Sequence, residues 1–250
     1  MELIHLATLV HDDVIDRADI RRGTASLRSL YDNAPTVLMG DHLFARAFEL
    51  IAECDNMGII SSTCRATSAM CRGEIEQLQW INRQEIPEPI YFRLIEKKTA
   101  ALMAACTESA ALLCGDSAKS SEWFRFGLLL GLVFQLTDDL LDFIADESVL
   151  GKRIGSDVAE GKYTLPLILL RESMEDGVEG LKRFLDSVEN PSRIREALEE
   201  KGIFDQVRVR IRDTARSCHD QLDRLAENSD RPEDYRPIHL LVDFLVSRNH

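Results

Sequence analysis

The same five-residue pattern, Asp-Asp-x-x-Asp, occurs twice in this chain, at Asp12-Asp13-Val14-Ile15-Asp16 and at Asp138-Asp139-Leu140-Leu141-Asp142. Both copies lie in sequence that reads as helix, where residues i and i+4 stand only about 40° apart around the axis. Asp12 and Asp16 therefore project from one face, and Asp138 and Asp142 from another. A single acidic triplet is usually a solvated face. Here the flanks argue for a site: Leu3, Ile4, Ala7, Leu9 and Val10 precede the first copy, and Leu136, Leu140, Leu141 and Phe143 surround the second. Carboxylates in such apolar helices face a cavity or cost on the order of several kcal/mol in desolvation. Two acidic faces set opposite each other repel unless cations lie between them. Ligation by carboxylates alone favours Mg²⁺ over zinc, and Mg²⁺ usually completes its shell with phosphate oxygens. The expected guest is a diphosphate.

Composition bounds the rest. The chain has 250 residues, is 45% hydrophobic, and is sparse in Gly and Pro over its first two thirds, which favours helices over strands. A net charge of −13 leaves no basic stripe for nucleic acid. The apolar run from Phe126 to Leu136 is too short to span a bilayer and contains Gly127, Gly131 and Gln135, so it reads as a core helix. Six cysteines, at 54, 64, 71, 106, 114 and 218, show no Cys-x-x-Cys spacing and read as reduced, buried thiols. The location expected from these features is cytoplasmic.

Along the chain, Met1 to Ile4 is already in helical register without a capping residue. The polar segment from Arg17 to Thr24 holds Arg21 and Arg22, which serve either as salt-bridge partners of the first acidic cluster or as a clamp on diphosphate oxygens. Guanidinium geometry suits the clamp, which is preferred. Asn33-Ala34-Pro35 reads as a turn, Thr36 to Glu53 as an apolar helix, Gly58 as a break, and Tyr91 to Leu113 as a helix carrying Lys98-Thr99. His42 stands alone and reads as structural. After the second aspartate motif, the Gly-containing stretch from Gly151 to Pro166 lacks P-loop spacing, but it allows Lys152 or Lys162 to fold back over the metal cluster as a lid. Amphipathic helices follow to His250, with no internal repeat beyond the aspartate motif and no domain boundary, so residues 1–250 read as one domain.

Taken together, these residues resemble the trans-isoprenyl (polyprenyl) diphosphate synthase family, of the long-chain, octaprenyl-like type. His5 to Gly23 resembles its first aspartate-rich region. Gly40-Asp41 with Phe44-Ala45, Gly73-Glu74 with Gln77, and Lys98-Thr99 resemble its intermediate landmarks. Phe134-Gln135 with Asp138-Asp139 and Asp142, then Gly151-Lys152, Gly155-Ser156-Asp157 and Glu160 to Pro166, complete the order. The resemblance implies an all-α fold, a single large helical bundle of the isoprenoid synthase type with a central active-site cavity. It implies a homodimer, about three Mg²⁺ ions, and condensation of isopentenyl diphosphate with an allylic diphosphate. In that reaction the allylic C–O bond ionises, its electron pair leaving with the diphosphate. The double bond of isopentenyl diphosphate attacks the cation, and a proton is lost. By the same resemblance, Asp12, Asp13, Asp16, Asp138 and Asp142 bind metal, and Asp12, Asp16, Asp138 and Lys98 form the catalytic set. Arg21, Lys98, Thr99, Gln135 and Lys162 bind the allylic substrate, His5 and Arg22 bind isopentenyl diphosphate, and Lys152 is a further substrate ligand. Short-chain relatives block the pocket floor before the first motif with an aromatic residue. Ala7 and Thr8 are small, which implies products beyond the four-isoprene length, although a close helix-packing role for Ala7 is the plainer alternative.

The family's Gly-Gly-Lys-Arg-like motif for isopentenyl diphosphate has no counterpart ahead of His5. The expectation is a domain lacking its N-terminal helices, with weak or no elongation as it stands. Two other readings are weighed. One is a non-catalytic subunit of a heteromeric synthase, although such subunits tend to lose aspartates. The other is a His-Asp type metal phosphohydrolase, prompted by His11-Asp12, which would leave the second motif unexplained.

Overall fold

The computed structural model describes residues 1–21, 23–144, 155–188, 190, 192–227, 229 and 231–248. Arg22 and Lys152, two of the expected substrate ligands, lie outside them. Among the described residues the chain is a bundle of helices, with one two-stranded hairpin pairing Ile20–Arg21 with Thr24–Ala25. The expected all-α architecture is what forms. No helix among these residues is long and apolar enough to cross a membrane.

Helix α1 (Glu2–Ile15) packs along α3 (Asn33–Ala52), with the short α2 (Leu27–Tyr31) between them in sequence. Asn33-Ala34-Pro35 is not a separate turn. It forms the first turn of α3, where a proline's missing N–H removes no hydrogen bond, and the chain reverses instead at Asp32 (φ 66°). Gly58 does not break a helix either. It lies in the first turn of α4 (Met57–Leu78), and its N–H donates to the Asn56 cap.

The expected helix from Tyr91 to Leu113 is interrupted. Its first part is α5 (Glu88–Ile95), its last α6 (Ala101–Leu113), and Glu96–Ala100 between them is a π turn. Such single-turn widenings re-aim side chains locally and recur at functional sites. This one is gripped on both sides by glycines. A Cβ on Gly73 of α4 would stand 2.9 Å from Lys97 Cβ and 3.1 Å from Lys98 N. A Cβ on Gly131 of α7 (Ser120–Ile144) would stand 2.4 Å from Ala100 Cα. Only glycine allows backbones this close. The grip fixes the height at which Lys98 and Thr99 enter the bundle.

Helix α7 is the axis of the fold, packed against α6, the π turn and α12 (Ile203–Ala226). The main core joins α5 and α7 to α9 (Leu165–Glu172), α12 and α13 (Arg236–Ser247), through Phe126, Phe143, Leu167, Ile168 and Leu222 among others. A smaller cluster, Ile4, Ala47, Ile51, Ile59 and Leu102, ties α1 to α3, α4 and α6. Buried thiols were the wrong expectation for most of the cysteines. Only Cys218 is buried and Cys106 is half-buried, while Cys54, Cys64, Cys71 and Cys114 are exposed, all of them free. Cys64 and Cys71, seven residues apart, lie on the outer stripe of α4, and Cys54 and Cys114 lie just beyond helix ends.

Candidate active site

The first motif forms the end of α1. Asp13, offset from the Asp12–Asp16 face, is buried and accepts a hydrogen bond at 2.5 Å from Arg21 Nε, which arrives across the hairpin. Both sequence readings of Arg21 thus meet one fact, that its Nε is an ion-pair partner of Asp13. Asp16 receives Lys162 Nζ at 3.0 Å. Among the described residues Asp12 has no such bond. Burial, then the repulsion of Glu74 and Asp16, outweighs the attraction of Lys98 and Lys162 and raises its pKa to about 6.

The second motif lies near the end of α7. Asp138 is exposed, whereas Asp139 is buried and accepts from Tyr91 Oη at 2.6 Å and from Gln135 Nε2 at 2.7 Å. Burial raises the Asp139 pKa to about 7 against the pull of those donors. Asp142 caps the next short helix, α8 (Ser156–Ala159). Its Oδ1 accepts from Ser156 N (3.2 Å) and Oγ (2.6 Å), and its Oδ2 from Asp157 N (3.2 Å). Burial, followed by the charges of Asp142 and Asp139, pushes the Asp157 carboxyl well above the usual range.

That capped segment joins the two motifs. It begins on Asp142, turns at Gly161 (φ 74°), and delivers Lys162 to Asp16 and to Glu160 at 2.7 Å. Burial alone would lower the Lys162 pKa, but Asp16 and Glu160 more than reverse this and hold it above the ordinary lysine range. Lys162 thus reaches the first motif from the segment that follows the second. From the π turn, Lys98 pairs with Glu74 at 2.6 Å and with Gln77 Oε1 at 3.0 Å, and Thr99 Oγ1 donates to Gln135 Oε1 at 2.6 Å. A cavity of about 130 Å³ opens beside them, lined by Trp80, Tyr91, Thr99, Gln135, Asp139 and Lys162 among others; the first-motif aspartates, Asp138 and Asp142 do not line it.

Glu74, Gln77, Tyr91, Asp139, Asp157 and Glu160 are the site residues that sequence reasoning left without roles. The landmark Gly73-Glu74 with Gln77 was a usable signal, because a glycine one residue before an acid predicts a close helix contact there. His5 is half-buried on α1 and its carbonyl accepts from Thr8 Oγ1 at 2.7 Å. Ala7 is fully buried on the stripe with Ile4 and His11, facing α3, while Thr8 shares the face of Asp12. His11 is structural. Its Nε2 lies 3.1 Å from Val37 O and 3.4 Å from Asp41, its ring stacks on Phe44, and a Cβ on Gly40 would overlap it. This removes the basis for a His-Asp phosphohydrolase.

The donors suit a hard divalent cation, being carboxylate oxygens with no thiolate or available imidazole beside them among the described residues. Among the described residues no three His, Cys, Asp or Glu side chains form a ready-made cage. Burial first, then repulsion from Glu74 and Asp16, raises the Asp12 pKa, and a divalent cation at these oxygens would relieve that repulsion.

A family model described as Polyprenyl synthetase matches residues 1–201. The octaprenyl diphosphate synthase of Haemophilus influenzae is 39% identical over 201 residues, covering 75% of this chain and 60% of that protein. The all-trans-nonaprenyl-diphosphate synthase (geranyl-diphosphate specific) of Rhodobacter capsulatus is 35% identical, covering 92% of this chain and 72% of its own. Among solved structures, a polyprenyl synthase from Caulobacter crescentus CB15, complexed with calcium and isoprenyl diphosphate, superposes with a TM-score of 0.87 at 37% identity, over 100% of this chain and 76% of that one. The chain thus spans only about three fifths of the Haemophilus relative.

Proposed function

This chain belongs to the polyprenyl synthetase family, and we propose that it provides the catalytic core of a Mg²⁺-dependent prenyltransferase that lengthens an allylic diphosphate with isopentenyl diphosphate. The observation that carries the reading is Lys162, delivered by the segment that Asp142 caps and paired with Asp16, so that the two aspartate motifs share one electrostatic site. The Caulobacter relative, with calcium and isoprenyl diphosphate, supports a hard cation and a diphosphate ligand here.

Asp12 and Asp16 from one side, and Asp138 with Asp142 from the other, would hold the ions, with Asp13 kept as the anchor of Arg21. When bound, Mg²⁺ supplies charge neutralisation of the departing diphosphate. Lys98 and Lys162 exchange their present acidic partners for diphosphate oxygens, while Arg21, its Nε held by Asp13, presents its terminal NH₂ groups to the same oxygens. Lys98 and Lys162 lie where they oppose the charge that accumulates as the C–O bond breaks, and stabilisation of that kind is commonly a large share of catalysis. His5, with Arg22, is assigned to isopentenyl diphosphate. The exposed apolar side chains of α2 and α3, Leu30, Tyr31, Leu38 and Met39, support a second copy as partner.

The small Ala7 and Thr8 support products beyond the four-isoprene length, in the range named for the Haemophilus and Rhodobacter relatives. The deciding experiment is incubation with isopentenyl diphosphate, an allylic primer and Mg²⁺, followed by chain-length analysis. Mg²⁺-dependent elongated products, in low yield, are expected. Release of orthophosphate without chain growth would overturn the reading.

A further inference from the structure

The segment that carries Lys162 has two anchors. The first is Asp142, which holds Ser156 and Asp157. The second is the loop between α4 and α5, residues 79–87. Asn82 N–H donates to Gly161 O at 2.8 Å, and Gln84 Nε2 donates to Tyr163 Oη at 2.9 Å. Gly161 and Tyr163 are the sequence neighbours of Lys162, so the loop grips the chain on both sides of it while Lys162 Nζ extends to Asp16. The fit is close. A Cβ on Gly161 would overlap Asn82 Oδ1 and stand 3.1 Å from Asn82 N.

The loop holds two features that simple packing does not require. Asn82 takes φ 60°, in the left-handed region that residues with a Cβ seldom enter and that Asn tolerates better than most. Arg171 of α9 is 8% exposed, and its Nη1 donates to Gln84 O at 2.8 Å and to Ile86 O at 2.6 Å. A buried guanidinium is costly to desolvate, and an apolar side chain would fill the same space. What the guanidinium adds is a fixed path for the loop backbone. Between loop and segment lies the cavity, with Trp80, Ile81 and Ile86 on one side and Lys162 and Tyr163 on the other. Side chains beside open space gain little from packing, so polar bonds set where the segment stands. From these contacts we infer that Asn82 and Arg171 are positioning residues for Lys162. Arg171 fixes the loop, Asn82 fixes the Gly161 carbonyl, and Lys162 then meets a bound diphosphate from a backbone already in place. The inference rests on the proposed role of Lys162 as a diphosphate ligand and adds the residues that aim it.

The test is a set of double-variant cycles, read by calorimetric titration of Mg²⁺-diphosphate into the full chain. Lys162→Met should weaken binding by about tenfold or more, the effect of one charged bond to phosphate. Arg171→Met should weaken it about five- to tenfold in the parent, and by no more than about twofold in the Lys162→Met background. A positioning residue acts only through the side chain it positions, whereas a role in packing alone would lower affinity equally in both backgrounds. Asn82 gives a test that spares the core, and it decides the matter if Arg171→Met does not fold. Asn82→Ala, which resists the left-handed conformation, should weaken binding about threefold. Asn82→Gly accepts that conformation, keeps the N–H, and should bind within about twofold of the parent. Equal losses in the two backgrounds would overturn the positioning role. So would parent-like binding by Asn82→Ala, or an Asn82→Gly as weak as Asn82→Ala. A parent chain that binds no Mg²⁺-diphosphate, or a Lys162→Met variant that binds it as tightly as the parent, would instead bring down the proposed role of Lys162, and this inference with it.

Discussion

The two aspartate motifs have the same spacing and opposite surroundings. In the first, at the end of α1, the inner acid Asp13 is met by Arg21 and the outer acid Asp16 by Lys162, so cationic side chains surround it. In the second, near the end of α7, the inner acid Asp139 is met by neutral donors, Tyr91 and Gln135, and the outer acid Asp142 by backbone and hydroxyl groups of Ser156 and Asp157. In both copies helical geometry turns the second acid away from the i,i+4 face and buries it. The motif is thus two devices in one. Its outer acids meet the segment from Ser156 to Lys162, while its inner acid braces a neighbouring element. The partners differ because α1 meets a polar hairpin, and α7 runs through the main core.

The largest effect expected is at the outer acids, where the copies should behave alike. Asp12→Ala and Asp138→Ala should each abolish Mg²⁺-dependent binding of an allylic diphosphate analogue, measured by calorimetry. Parent-like affinity in either variant would mean that the motifs do not share one ion cluster. Next comes the floor below the first motif. Ala7→Phe overfills the seam between α1 and α3 and should shorten the product spectrum, read by chain-length analysis of the active enzyme. An unchanged spectrum at comparable rate would place the floor elsewhere.

A smaller effect should separate the inner acids. Asp13→Asn leaves Arg21 without its charged partner and should cost about 2 kcal/mol, seen as a lower urea midpoint. It should also weaken diphosphate binding, which Asp139→Asn should not. Equal behaviour of the two variants would erase the contrast between the motifs. The smallest effect is on pH dependence without metal. The folded pKa values of Asp12 and Asp139, about 6 and about 7, lie above the ordinary aspartate value of 3.8. Each acid therefore favours the folded chain fully below about pH 4, and loses that contribution as pH rises through its folded pKa. Asp139→Asn should flatten the decline of the urea midpoint between pH 4 and 7. A slope identical to the parent's would show that Asp139 does not titrate as described.

Much of this was legible in the sequence. Periodicity and spacing alone determine that Asp12 with Asp16, and Asp138 with Asp142, share helix faces, because the α-helical repeat is a local property of the backbone. They also set the helical class, and the order of motifs sets the family. Spacing could not say what the inner acids touch, since Arg21, Tyr91 and Gln135 reach them only through the particular crossing of hairpin, π turn and α7. Nor could it foresee the π turn within the run from Tyr91 to Leu113. There Gly73 and Gly131 let two helices distant in sequence come close to it. The exposure of Cys64 and Cys71 was misjudged for the same reason, because apolar neighbours in sequence do not tell which stripe of a helix finds a partner. Local sequence determined which groups point the same way. Only the packing of distant segments decided what they point at, because burial and ion pairing depend on neighbours that the chain supplies from afar.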